Sequence, residues 1–238
     1  RYALEKAYHL AMTGRRGPSW IDIPVNYQGC YIETDELRGY DPSEDVNENP
    51  APVEKSVIAE VIGKIKDAKR PVLYAGNGIR LSEGYGAFRK AVEKLGIPVV
   101  TCWDSIDAIE DENPLYVGRG GIMGDRPGNF AVQNADLVLA VGNRLSIRQV
   151  GYSWKTWARE AYVIMVDVDP AELKKTTLHV ELPVCADAKD FFVQMNEQLA
   201  DEDVPVFAGK EWIRKCQEWK KNYPVTQPKH WEERSEER

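Results

Sequence analysis

Hydrophobic positions change their spacing repeatedly between residues 55 and 200. Two segments have apolar residues at helical intervals, which are Val57, Ile58, Val61, Ile62 and Ile65 in the first and Tyr85, Phe88, Val92 and Leu95 in the second. Between and after them, short apolar runs occupy residues 72–75, 97–100, 137–141, 163–166 and 182–185. Continuous apolar runs are typical of strands buried on both faces. The alternation predicts an α/β fold in which helices cover both faces of a parallel sheet.

The two flanks of this region follow other patterns. Near the N-terminus, apolar residues at helical spacing predict a helix that ends at Gly14, and a short strand is predicted between Pro18 and Pro24. Residues 33–54 are strongly acidic and interrupted by prolines, which predicts a linker. Toward the C-terminus, a helix is predicted at 188–199 and another around Trp212 and Trp219.

Composition and charge argue against several kinds of binding partner. A net charge of −7 and a pI near 5.2 provide no basic field, so nucleic acid is not expected as a partner. The longest apolar runs are strand-sized, far short of the ~20 residues that a membrane-spanning helix needs, and no signal peptide is recognisable. The four cysteines form no CxxC pair, which argues against a zinc knuckle or a thioredoxin-like site. We therefore expect a cytoplasmic protein with reduced thiols and no membrane association.

Similar polar turns follow two of the predicted strands. Gly76-Asn77-Gly78 follows the run at 72–75, and Gly142-Asn143-Arg144 follows the run at 137–141. Parallel strands present their carboxyl ends at one edge of a sheet, where backbone N–H groups are offered to anionic ligands. Glycine, and to a lesser degree asparagine, adopts the left-handed backbone that such turns often need. The turns are interpreted either as the floor of a nucleotide pocket or as ordinary tight turns.

The segment from Thr101 to Asn134 is too long for a structureless connection in a compact domain. Its glycines are dense, at positions 118, 120, 121, 124 and 128. We predict a short strand near 115–117, a Gly-rich loop that faces a ligand, and a helix from about Pro127. A flexible surface loop would have the same composition and remains the alternative.

Two arginines, Arg144 and Arg148, and two aspartates, Asp167 and Asp187, are candidate ligand contacts. Arg144 and Arg148 could bind one phosphate or two successive ones if their segment is helical, although a guanidinium fits surface carboxylates equally well. Asp169 is predicted to be an N-cap, with Pro170 at the first helical position and Glu172 placed for a capping box. Asp167 would then be free to accept hydrogen bonds from a nucleotide. Asp187 is interpreted as an N-cap, a ligand contact, or both.

Several segments in order resemble one family, the acetolactate synthases and their thiamine-diphosphate-dependent relatives. The resemblance is carried by GRRGPSWIDIPVNYQ at 14–28, PVLYAGNG at 71–78, IPVVTCWDS at 97–105, FAVQNADLVLAVGNRLSIRQVG at 130–151, VIMVDVDPAELKK at 163–175, ELPVCADAKDFF at 181–192 and EWIRKCQEWKKNYPV at 211–225. It covers nearly the whole chain. An ordered set of motifs is far more specific than a single Gly-rich turn.

The resemblance implies a Rossmann-like six-stranded parallel sheet of the DHS-like NAD/FAD-binding type, with helices on both faces. In that family the central domain binds FAD, ADP or nothing. Carried over by position, the cofactor contacts are Gly76, Asn77, Gly78, Cys102, Trp103, Gly120, Gly121, Ile122, Met123, Gly142, Asn143, Arg144, Arg148, Asp167, Asp187 and Ala188. The family's GGG is Gly76-Asn77-Gly78 here, its His is Met123 and an Asp is Ser146. A bound nucleotide is therefore better supported than a bound flavin ring.

The resemblance also implies a domain plan and a reaction. Residues 1–29 correspond to the end of a pyrimidine-binding domain, 30–52 to an acidic linker, 53–200 to the central domain and 201–238 to a linker toward a diphosphate-binding domain. The full-length enzyme, a homodimer or homotetramer, would use thiamine diphosphate and Mg²⁺ to decarboxylate a 2-oxo acid and transfer the product to a second carbonyl compound. Gly124-Asp125-Arg126 is not the family's GDG motif, so we expect the chain alone, without its N- and C-terminal domains, to be inactive.

Two other classes of protein are alternatives. A sirtuin-like NAD-dependent deacylase shares the general topology, but it would need a zinc-binding cysteine quartet and a catalytic His near the nucleotide, and the sequence offers neither. A structural module with vestigial glycines, which bridges domains and binds no ligand, remains open.

Overall fold

The computed structural model describes residues 1–45, 50–200 and 205–231. The chain divides into two compact units, Arg1–Pro50 and Ala51–Arg238. Glu48 of the predicted linker and residues 201–204 and 232–238 of the predicted C-terminal linker lie outside the described residues.

The described residues of the first unit form the helices α1 (Tyr2–Met12) and α2 (Val25–Gln28) and the 3₁₀ turns Thr34–Glu36 and Pro42–Glu44. The predicted N-terminal helix is confirmed. The predicted strand between Pro18 and Pro24 is wrong, because these residues have no regular structure and the described part of this unit offers no strand to pair with. Within this unit, an acidic residue of the predicted linker contacts α1: the Tyr2 hydroxyl donates to Glu44 at 2.7 Å.

The second unit is built on a six-stranded sheet in which every pairing is parallel, in the order β3-β2-β1-β4-β5-β6. The strands are β1 (Pro71–Ala75), β2 (Val99–Thr101), β3 (Tyr116–Arg119), β4 (Leu137–Val141), β5 (Tyr162–Asp167) and β6 (Leu182–Cys185). The predicted α/β, Rossmann-like fold class is confirmed. All residues of β1 and β4 are buried, which explains why their sequences are continuous apolar runs.

The helices of the second unit are α3 (Lys55–Asp67), α4 (Gly78–Leu81), α5 (Tyr85–Leu95), α6 (Arg126–Asn134), α7 (Ile147–Val150), α8 (Pro170–Leu173), α9 (Ala188–Gln198) and α10 (Lys210–Asn222). Two groups of these helices pack together: α9 contacts α3 and α5, and α10 contacts α6. Fully buried side chains such as Phe88 and Phe192, whose ring centroids are 5.5 Å apart, fill the space between α5 and α9. Burial of each such side chain contributes about 1.5–3 kcal/mol.

The sheet fixes where a ligand site can form. Strand order reverses between β1 and β4, which pair in register from Pro71 with Leu137 to Ala75 with Val141. In open parallel sheets, ligands bind outside the carboxyl ends of the strands at such a reversal. The turns after β1 and β4 therefore mark the candidate site.

Candidate functional site

The predicted cofactor contacts lie at the carboxyl ends of all six strands. They are Gly76, Asn77 and Gly78 after β1, Cys102 and Trp103 after β2, Gly120 to Met123 after β3, Gly142 to Arg144 and Arg148 after β4, Asp167 at the end of β5, and Asp187 and Ala188 after β6. Because the strands are parallel, these ends share one edge of the sheet. The structure thus brings residues that are scattered over 113 positions, from 76 to 188, to a single edge.

The turns after β1 and β4 pack directly on one another. The Gly76 N–H donates to the Val141 carbonyl at 3.0 Å, and the Gly78 N–H donates to the Gly142 carbonyl at 2.8 Å. A Cβ at Gly76 would lie 2.3 Å from the Asn143 Cα, and a Cβ at Gly78 would lie 2.7 Å from the Gly142 Cα. Close packing of two backbones therefore requires both glycines, whether or not a ligand lies above them.

The asparagines of these turns do not adopt the left-handed backbone that their sequence suggests. Asn77 is right-handed, with φ −67°, and left-handed values occur instead at Gly142, Arg144 and Leu145. Asn143 acts through its side chain, because its Nδ2 donates to the Tyr74 carbonyl at 3.0 Å and its Oδ1 accepts from the Leu145 N–H at 3.1 Å. The expected role of asparagine was wrong, and Asn143 ties the two turns together.

Arg144 and Arg148 do not lie on one helix. Arg144 precedes α7 and has φ 59°, so the helical spacing on which a shared phosphate depended is wrong. The Arg144 Nε donates to a Glu172 oxygen at 2.7 Å. The Arg148 guanidinium lies over the Trp103 ring, 4.6 Å from its centroid, and no carboxylate in the described part of the chain pairs with it. The two arginines therefore occupy separate positions on the edge.

Three loops meet around Arg148. The Ile122 N–H donates to the Arg148 carbonyl at 2.8 Å, and a Cβ at Gly121 would lie 2.1 Å from the same oxygen. Trp103, Ile122 and Met123 are 42%, 51% and 61% exposed. We call Trp103, Ile122, Met123 and Arg148 the edge cluster. It offers apolar and aromatic surface beside a cation, which suits a planar ring or a phosphate.

A buried polar group underlies the edge cluster. Burial raises the pKa of the Cys102 thiol well above its usual range, and the nearby Asp104 carboxylate adds to that shift. The Tyr74 hydroxyl is buried beside this thiol but outside hydrogen-bonding geometry, and burial raises the pKa of Tyr74 as well. The Cys102 side chain therefore does not face solvent. Gln149, buried under the same loops and bonded to the Ser146 hydroxyl, is a site-forming residue that the sequence did not reveal.

The acidic residues at and after the end of β5 confirm one expectation and correct another. Asp169 is the N-cap of α8 and accepts from the Ala171 N–H at 2.8 Å. Glu172 does not complete a capping box, because it bonds Arg144 and Lys175, while the Asp169 N–H donates to Asp167 Oδ1 at 3.0 Å. Asp167 is 5% exposed and its Oδ1 already accepts from the Asp169 N–H, and its role as a ligand contact stays a prediction. Its local bonds make it a support of the α8 turn.

Asp187 and the Gly-rich loop have clear structural roles. Asp187 caps α9 by accepting from the Lys189 and Asp190 N–H groups, at 2.8 and 3.2 Å. Asp125 caps α6, accepting from the Gly128 and Arg119 N–H groups, both at 2.9 Å.

The Gly-rich loop is also held from α6. The Asn129 side chain bonds both the N–H and the carbonyl of Gly121, at 2.9 and 3.0 Å. The loop is thus tied to α6 by several bonds rather than freely exposed. Asp125 and Asn129 were not among the predicted site residues, because their bonds to the loop depend on the packing of α6 against β3 rather than on local spacing.

A concavity lies at the opposite edge of the sheet. It is a cleft of about 940 Å³ lined by Lys69, Arg70, Asn134, Arg214, Lys215, Trp212 and Trp219 among others. Its arginines have internal partners, since Arg70 donates to the Asn134 carbonyl at 2.6 Å and Arg214 lies 3.4 Å from Glu218. These pairings account for the two arginines of the cleft.

All four cysteines are free thiols. Within residues 1–45, 50–200 and 205–231, no three His, Cys, Asp or Glu side chains form a group that could hold a metal ion. None of the helices in that part of the chain has the length and apolar character needed to cross a membrane.

Comparison with known proteins agrees with the geometry. The family described as "Thiamine pyrophosphate enzyme, central domain" matches residues 58–195, more than half of the chain. The acetolactate synthase large subunit of Corynebacterium glutamicum is 31% identical over 227 residues, which is 93% of this chain and 35% of that protein. A probable acetolactate synthase large subunit of Methanococcus aeolicus is 34% identical over 201 residues, 81% of this chain and 32% of that protein.

A plant relative gives the same picture. Probable acetolactate synthase 2, chloroplastic, of Oryza sativa subsp. japonica is 36% identical over 204 residues, 84% of this chain and 29% of that protein. The chain thus spans about a third of the length of the curated relatives it matches. Six parallel strands in this order, together with these matches, show that the chain belongs to the thiamine pyrophosphate enzyme family and contains its central domain, of the acetolactate synthase-like kind.

Proposed function

We propose that this central domain binds a nucleotide diphosphate, FAD or ADP, at the carboxyl edge of its sheet. The observation that carries the proposal is the edge cluster, in which the Arg148 guanidinium lies over the exposed Trp103 ring and the neighbouring loop, bonded to the Arg148 carbonyl, exposes Ile122 and Met123. A planar ring fits the apolar side chains, and a phosphate fits the guanidinium. The ADP half is common to both nucleotides, whereas Met123 replaces the family's His on the side that would face a flavin.

We further propose that the full-length protein is a thiamine-diphosphate- and Mg²⁺-dependent transferase or lyase that decarboxylates a 2-oxo acid and joins the product to a second carbonyl compound. Thiamine diphosphate, when bound, supplies the electron sink for that chemistry. The proposal comes from the acetolactate synthase relatives. In this proposal the central domain also packs subunits of a cytoplasmic homodimer or homotetramer.

A ligand-free scaffold is the second candidate function. It is favoured by the contact between Gly76 and Asn143, which explains a Gly turn through backbone packing alone. The bond between Arg144 and Glu172 likewise gives that arginine a partner within the protein. Under this alternative, the edge cluster would be covered by another domain rather than by a nucleotide.

Ligand-induced stabilisation separates the two functions. We expect ADP and FAD to raise the melting temperature, because a ligand at 100 times its Kd stabilises the folded state by about 2.7 kcal/mol. Arg148→Ala should lose most of this shift. Arg214→Ala, an exposed arginine on α10, serves as the matched control and should keep it. If none of the nucleotides changes the melting temperature, the nucleotide proposal fails and the ligand-free scaffold is the function that remains.

A further inference from the structure

We propose that Glu172 is a positioning residue that holds Arg144 ready for a phosphate group of the nucleotide, an inference that rests on the proposed function. The Glu172 carboxylate uses both oxygens for cations. Its Oε1 accepts from Arg144 Nε at 2.7 Å, and its Oε2 accepts from Lys175 Nζ at 3.1 Å. The three side chains form a set of two cations and one carboxylate, with a net charge of +1.

Glu172 does not make the hydrogen bond that is usual for a glutamate at its position in a helix. Three residues after the N-cap Asp169, a glutamate ordinarily bonds back to the N–H of the cap residue. Here that N–H donates to Asp167, and Glu172 turns toward Arg144 and Lys175 instead. The Glu172 side chain is 14% exposed, so its charge is largely removed from water and is compensated by the two cations. Departures from local rules of this kind concentrate at functional sites.

The backbone of Arg144 is held as firmly as its side chain. Arg144 and Leu145 are both left-handed, with φ 59° and 45°, a conformation that non-glycine residues adopt only when their surroundings enforce it. The buried Leu145 side chain and the bond from the Leu145 N–H to Asn143 fix this turn. Lys175 Nζ also donates to the Arg144 carbonyl. The arginine is therefore constrained at its carbonyl and at its Nε.

The remaining donors of Arg144 fit an oxyanion. Glu172 engages Nε, and no acceptor within the described residues bonds the two Nη groups. The Arg144 side chain is 56% exposed, so these donors are accessible. A guanidinium that is already oriented loses less rotational freedom when it binds phosphate than a mobile one. Glu172 would thus raise nucleotide affinity through Arg144 without contacting the nucleotide.

Calorimetric titration with ADP tests the inference in a double-mutant cycle. We expect Arg144→Ala to weaken ADP binding about 10- to 100-fold, as for loss of a charged hydrogen bond. Glu172→Ala should weaken it about 3- to 10-fold, and Glu172→Gln, which can still accept from Nε, should restore affinity to within about threefold of wild type. In the Arg144→Ala background, Glu172→Ala should have no further effect. Glu60→Ala, an exposed glutamate on α3, should bind like wild type.

Each other outcome has a distinct meaning. Tighter ADP binding by Glu172→Ala would show that the carboxylate competes with phosphate, and would overturn the inference. Unchanged binding by Glu172→Ala, with weaker binding by Arg144→Ala, would overturn it while leaving the proposed function intact. Melting curves of each variant identify any that is unfolded, in which case Glu172→Gln decides. If wild type binds no ADP, the proposed function fails and the inference fails with it.

Discussion

At the residue scale, backbone contact between two turns explains the glycine at position 76. We expect Gly76→Ala to lower the free energy of unfolding by about 1–3 kcal/mol or more, because the new Cβ would lie 2.3 Å from the Asn143 Cα and neither backbone can move easily. Urea denaturation followed by circular dichroism measures the change. Gly86→Ala is the matched control, since Gly86 lies in α5 with open space around it and should gain about 0.5–1 kcal/mol. Equal stability of Gly76→Ala and wild type would contradict the close packing.

Burial of Cys216 predicts loss of stability at alkaline pH. Burial raises the pKa of the Cys216 thiol from 9.0 to about 12, so between these values the unfolded chain releases a proton that the folded chain retains. The free energy of unfolding should therefore fall as the pH rises above 9, by about 1–2 kcal/mol at pH 10.5 from this group. Denaturation at a series of pH values tests this. Cys216→Ala should show a shallower decline, and parallel curves for the two proteins would refute the assignment.

At this scale, the sequence did not predict which side chains bond to one another. The strand-end positions of Gly76, Gly142 and Asp167 follow from local pattern. Arg144 lies after β4 and its partner Glu172 lies after β5, so their pairing depends on how these two segments pack. The burial of Gln149 likewise depends on how three loops meet. Both are set by tertiary packing, which no spacing rule encodes.

At the scale of elements, the apolar runs in the sequence predicted where the strands of the sheet lie. β4 and β6 have the bounds expected from sequence. β2 begins at Val99 rather than at 97, because Pro98 has no N–H and contributes only its carbonyl, which accepts from the Leu73 N–H at 2.9 Å. The run between Pro18 and Pro24 formed no strand, since apolar residues become a strand only when a neighbouring strand supplies hydrogen bonds.

Helix α10 belongs to the second unit through Trp212. Its indole N–H donates to the Pro71 carbonyl at 3.0 Å, at the start of β1, and its ring is buried. We expect Trp212→Ala to lower the free energy of unfolding by about 3–5 kcal/mol, through lost burial and a cavity. Trp231→Ala, at a site 80% exposed, should change stability little and serves as the control. Similar melting temperatures for both variants would mean that α10 is not part of the folded unit.

At the scale of the whole molecule, the chain spans about a third of its curated relatives, and we expect it to show no catalysis alone. Incubation of the 238-residue chain with thiamine diphosphate, Mg²⁺ and pyruvate should release no CO₂ above a control without protein. The reason is that the residues at the carboxyl edge are proposed to contact a nucleotide, and none of them is proposed to act on a 2-oxo acid. Measurable CO₂ release would show that the chain contains a catalytic site of its own.

The position of bound ADP tests the central claim most directly. Because Gly76, Gly121, Gly142 and Arg148 all lie at the carboxyl edge, ADP should shift their amide signals in ¹H–¹⁵N NMR spectra of the labelled chain. Amides of the cleft at the opposite edge, such as that of Trp212, should remain unchanged. Shifts confined to that cleft, or no shift at any ADP concentration up to the millimolar range, would contradict a nucleotide site at the carboxyl edge.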